Sequence, residues 1–155
     1  GTFARAQASS GLSQQTFDIA FNTGQVAAIY AYAGSHTMNS SAHVRLQELA
    51  NGSTRVSVHL HDVLDGELYH IHSHDFADPA TTPNGTPYNE TPNGDVLSMA
   101  ITASGTTAGA SQISPMSFDN LTTVYEGFFV VHDPLVALST TDPTTYIFLS
   151  QFARN

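Results

Sequence analysis

The chain has 155 residues, 41% of them hydrophobic, and thirteen acidic residues against four arginines and no lysine set a formal charge of −9 at pH 7. That length supports one domain with a sizeable core, while the acidity argues against nucleic acid or an anionic membrane as partner, because little is present to neutralise phosphate. No window is long and apolar enough for a membrane span or a signal-peptide core, and the lack of cysteine excludes disulfides.

In chain order, residues 1–14 are small and polar and predict an extended N-terminal arm, with a single domain over residues 15–155. The first residue is Gly rather than Met, so the chain reads as a processed product. Residues 16–21 alternate apolar and polar, and residues 25–32 are rich in strand formers. Residues 42–49 alternate again, and Asn51-Gly52 signals a hairpin turn. Residues 55–61 alternate most cleanly: Val56, Val58 and Leu60 on one face, Arg55, Ser57, His59 and His61 on the other. Asp65-Gly66 then turns the chain into a histidine-rich strand. Residues 78–95, with Pro79, Pro83, Pro87 and Pro92, predict a long loop. Residues 96–102 predict a strand, residues 106–117 a loop, and residues 124–132 and 145–152 two last strands. Short strands between turn clusters, with no helical period, predict an all-β, antiparallel sandwich of immunoglobulin-like or Greek-key type, or a flattened barrel.

The segment running from Tyr69 to Asp78 places His70, His72 and His74 at alternate positions, so in a strand all three imidazoles project from one face. Imidazole suits transition metals, and three on one face make a metal site the best reading. His132 would lie on the outer face of its own strand. If that strand pairs with the histidine strand, His132, His72 and His74 converge, with His70 as a candidate fourth ligand. Asp75, Asp78 and Asp133 are candidates to hold the second ring nitrogens. His59 and His61 are expected in solvent, His36 and His43 on the surface, and Tyr69, Ile71, Phe129 and Val131 in the core. No nucleophile triad, phosphate-cradling loop or paired-carboxylate motif is present, so no catalytic residue is assigned among the protein's own side chains.

Five of the eight asparagines, Asn39, Asn51, Asn84, Asn89 and Asn120, head Asn-x-Ser/Thr sequons, against roughly two expected by chance in a chain that is about one-fifth Ser and Thr. The excess predicts N-linked glycans and an extracellular or cell-surface location.

These residues resemble the copper/zinc superoxide dismutase family. The likeness spans about residues 54–133 and rests on His72-Ser-His74-Asp75-Phe76-Ala77-Asp78, on the Gly85-Thr-Pro-Tyr-Asn89 loop, and on Phe128-Phe-Val-Val-His132-Asp133. The resemblance implies copper on His72, His74 and His132 and superoxide dismutation as the activity. The chain departs from the family at Pro87, which stands where the metal-bridging histidine is expected, and residues 88–95 hold no zinc histidines. Zinc is therefore not expected, and a copper-only member is the nearest kind. No arginine lies in residues 139–145, where the family keeps one to orient superoxide, so dismutation is expected to be weak or lost. A second resemblance, to the chordin-repeat (CHRD) domain, rests on His70-Ile-His72, Asn93-Gly94-Asp95-Val96 and Val131-His132. It implies an extracellular module, and it shifts the histidine pair to 70/72. The alternative to an enzyme is a structural module of a glycosylated fibre or cell-surface assembly. Its arm would add a strand to a neighbour's open sheet edge, so the expected partner is a second copy.

Overall fold

The computed structural model describes residues 14–25 and 31–153. Nine strands follow in order: β1 (Thr16–Asn22), β2 (Gly24–Gln25), β3 (Ser41–Glu48), β4 (Thr54–His61), β5 (Leu68–Asp75), β6 (Ser98–Thr102), β7 (Thr107–Ser114), β8 (Gly127–His132) and β9 (Tyr146–Gln151). They form two facing sheets, β1-β3-β4-β7 and β2-β9-β8-β5-β6. Every pairing is antiparallel except the two-residue match of β2 with β9. The non-consecutive neighbours β4/β7 and β5/β8 are Greek-key crossovers. The expected all-β antiparallel sandwich is the fold observed.

Period-two patterning accounts for the core. Ile19 and Phe21 of β1, Ala42, Val44 and Leu46 of β3, and Val56, Val58 and Leu60 of β4 point inward from the first sheet. Tyr69 and Ile71 of β5 and Phe129 and Val131 of β8 meet them from the second. The Phe21 and Phe129 rings stack across the interface with centroids 4.4 Å apart. Both anticipated turns are present, with Gly52 at φ 90° and Gly66 at φ 78°, a backbone region where a Cβ would be strained.

Two sequence expectations are corrected. Residues 106–117 are not a loop: Thr107–Ser114 is β7, matched residue for residue with β4. Its small, polar side chains carry little strand propensity, and pairing along a full edge overrides that weakness. Of the strand expected over residues 25–32, only Gln25 is in a strand, and residues 26–30 lie outside the described residues, as do residues 1–13 of the expected arm.

β8 is buried on both faces, which explains its unbroken apolar run. The loop between β5 and β6 covers its outer face, where Tyr88, Phe128, Val130, Tyr146 and Leu149 form a second small cluster. Backbone bonds hold that loop along the end of β5: Ala77 N–H to the Pro87 carbonyl (2.9 Å), Asn89 N–H to Asp75 (2.8 Å) and Asn93 N–H to Ser73 (2.7 Å).

Candidate metal centre

Strand alternation sends His70, His72 and His74 of β5 to the outer face of the second sheet, beneath and beside this loop. β8 lies next to β5, with His72 opposite Val130 and His74 opposite Phe128. His132 therefore sits diagonally across from His72 on the same face. One ring nitrogen from each of His72, His74 and His132 lies within 4.8 Å of the others, the only such group among the described residues. His70 is one step outside it, its ring stacked beside that of His72 at 6.4 Å.

The hydrogen bonds specify how the rings are held. His74 Nδ1 lies 2.8 Å from the Asn89 carbonyl, and a carbonyl only accepts, so Nδ1 carries the proton and the Nε2 lone pair is free. His74 Nε2 is fully buried and has no hydrogen-bond partner. His72 Nδ1 and His132 Nε2 face each other at 3.0 Å, sharing one proton between two nitrogens. His132 Nδ1 is buried as well. Buried polar atoms are rarely left without a partner, and a cation among the rings would engage the His74 Nε2 lone pair.

Burial keeps the imidazoles neutral. It is the main cause holding His72 at about 4, with His74 and His70 adding repulsion. His132 is pushed down to about 3, again chiefly by burial and then by the other three histidines, with a hydrogen bond to the Ser139 backbone opposing. His74 is lowered by burial, against the Asn89 carbonyl and Asp75. Neutral imidazole is the form that binds metal.

The carboxylates are placed otherwise than expected. Asp75 accepts from the Tyr125 hydroxyl (3.0 Å) and Asn93 Nδ2 (2.9 Å). Asp78 accepts from Ala80 N–H (3.0 Å) in its own exposed turn. Asp133 is buried and accepts from Leu135 N–H (2.9 Å) and from the Tyr32 hydroxyl. None of them orients a ligand ring; for His74 that role falls to a backbone carbonyl, which no side-chain pattern advertises.

Two tyrosines wall the site. The Tyr88 ring meets His74 at 5.3 Å and the Tyr146 ring meets His132 at 4.9 Å, both edge-on. Their hydroxyls hydrogen-bond to each other, and burial lifts Tyr146 to about 12. Tyr146 reaches this place through a β-bulge: Val131 pairs with Phe148 but His132 with Tyr146, so Ile147 is the extra residue. Without the bulge, Ile147 would stand opposite His132.

The remaining histidines lie elsewhere. His59 and His61 are exposed, as expected, and His43 is half-exposed, 3.3 Å from Asp18. His36 corrects the surface expectation. It is buried, with Nδ1 donating to the Thr37 carbonyl (2.7 Å) and Nε2 accepting from Tyr69 OH (2.7 Å), a core histidine with both nitrogens satisfied. Among the sequons, Asn39, Asn51, Asn84 and Asn89 are exposed and Asn120 is half-buried in a π-helical turn (Asn120–Val124). No helix among the described residues is long and apolar enough to cross a membrane. Comparison with protein-family models, curated proteins and solved structures returned no match.

Proposed function

We propose that the chain is an extracellular, glycosylated copper-binding domain of the superoxide dismutase type, with His72, His74 and His132 as ligands. The observation that carries this is the cluster of three imidazoles with one ring nitrogen each within 4.8 Å of the others, His74 Nε2 buried without a partner. The all-imidazole donor set fits copper, a metal well served by nitrogen ligands. Copper held there would supply one-electron cycling between Cu(I) and Cu(II), the chemistry dismutation requires. The protein's own part is to hold three rings in a dry pocket, fix the His74 tautomer through Asn89, and leave half-buried His72 as the side open to small molecules. The segment following His132 carries exposed Leu135, Val136 and Leu138 and no cation, so nothing there steers an anion inward. Weak dismutation is expected. Stopped-flow measurement of superoxide decay tests it: the copper-loaded chain should exceed the same protein with His74→Ala. Equal rates for the two, both matching free copper, would refute the activity.

A second reading, a structural module of an extracellular assembly, has its own support in the open side of the sandwich between β1 and β9.

A further inference from the structure

The two sheets meet differently along their two sides. On one side β6 and β7 are tied together: Ser98 N–H donates to Gln112 Oε1 (2.8 Å) and Gln112 Nε2 to the Gly94 carbonyl (3.1 Å). The chain also passes directly between these strands through the Ser104–Thr107 bridge. On the other side β1 ends the first sheet, while β9 and the short β2 end the second. Among the described residues no backbone hydrogen bond joins β1 to β9. Among the described residues β2 covers only Phe148 and Leu149, and no strand pairs with the outer edge at Ser150 and Gln151. Between the edges runs an open groove of about 470 Å³, lined by Ile19, Phe21, Asn22 and Gly24 on one wall and Ser150 and Gln151 on the other.

Exposed edges are normally blunted by lysine, proline or an inward charge. β1 has none of these; its one charge, Asp18, is held by Arg45 of the adjacent strand at 2.7 Å. β9 carries neither charge nor proline.

We propose that this groove is a strand acceptor and that its occupant is residues 1–13 of a second copy of the chain. The proposal rests on the structural reading and names the partner and the place. Thirteen residues extend to about 43 Å at ~3.3 Å each, enough to fill a groove beside seven-residue β1 (about 23 Å) and still bridge two bodies. Gln15 stays in the ladder, its carbonyl accepting Glu48 N–H (2.8 Å), so the pairing of β1 with β3 is intact up to the start of the arm. Alternation suits insertion: Thr2, Ala4, Ala6 and Ala8 would fall on one face, small enough to lie over Ile19 and Phe21, with Phe3, Arg5, Gln7 and Ser9 on the other. Charge agrees as well. Arg5 is the only charged residue of the arm, which leaves −10 on the remainder of a chain whose net charge is −9. Arm into groove is a head-to-tail contact that need not close, so it propagates as a filament.

Since the chain has no cysteine, disulfide trapping in the full-length protein is free of background. Two pairs are built, Ala6→Cys with Ser150→Cys and Gln7→Cys with Asn22→Cys, so that one remains if the other fails to fold. Chains with normal and heavy nitrogen are mixed and oxidised. A non-reducing ladder of oligomers, with cross-linked peptides of mixed isotope, is the result expected. Cross-links confined to peptides of one isotope would overturn the second copy as occupant. Filaments that form without either cross-link would overturn the groove and leave the structural reading standing. A chain that stays monomeric at every concentration would overturn both.

Discussion

At the residue scale, the three imidazoles determine how the metal-free protein responds to acid. In the unfolded chain each titrates near 6.5; in the folded chain His72 holds out to about 4 and His132 to about 3. Between 6.5 and those values the unfolded state binds more protons, so folding stability falls as pH falls through that window and is unaffected by these groups above it. The melting temperature of the metal-free protein should therefore drop from pH 7 to pH 4 more steeply than that of His72→Asn/His132→Asn. Parallel slopes would mean that the rings are not buried neutral. Copper binding to the folded protein should hold through that window and weaken only as pH approaches the lowered values, where protons begin to compete with metal for the same lone pairs.

At the element scale, the site depends on a loop and a bulge more than on the strands that bear the ligands. Tyr88 anchors the β5–β6 loop in the outer cluster and walls His74. Tyr88→Ala should cost about 3–5 kcal/mol in denaturant unfolding, as large aromatic truncations do. It should also open residues 76–97 to proteolysis, and a loop that stays resistant would show that other contacts hold it. Tyr125→Phe removes a hydroxyl shared by Ser73 and Asp75 and should cost roughly 1–3 kcal/mol while leaving copper stoichiometry intact, since Asp75 touches no ligand ring. At this scale much was legible in the sequence. The alternation in β4 and the Asn51-Gly52 turn announce their elements, and the period of two in His70, His72 and His74 announces a shared face. β7 was illegible because Thr107–Ser114 gains its strand character from β4 rather than from its own side chains. The Ile147 bulge and the Asn89 carbonyl were illegible for a related reason: each is a backbone event that needs a partner strand or loop to exist.

At the scale of the whole molecule, net charge and topology set what the site can do. A surface of −9 repels superoxide, and salt screens like-charge repulsion, so any dismutation should speed up as ionic strength rises. A rate that falls with salt would reveal a local cation path that the segment after His132 does not display. The sandwich class and the pairing of β5 with β8 follow from patterns that residues repeat locally. The uneven closure of the two sides follows from which strands end as neighbours, and composition carries no trace of that. His36 teaches the same lesson: a histidine in a polar stretch becomes a core residue because Tyr69, 33 positions away, arrives beside it.

The most direct measurement is copper content by elemental analysis after loading and exhaustive dialysis, for the native chain and for His72→Ala, His74→Ala and His132→Ala. One copper per native chain is expected, with affinity reduced by roughly a hundredfold or more in each variant, since loss of even an outer partner of a ligand costs 10- to 100-fold. Undiminished copper in all three variants would contradict the site.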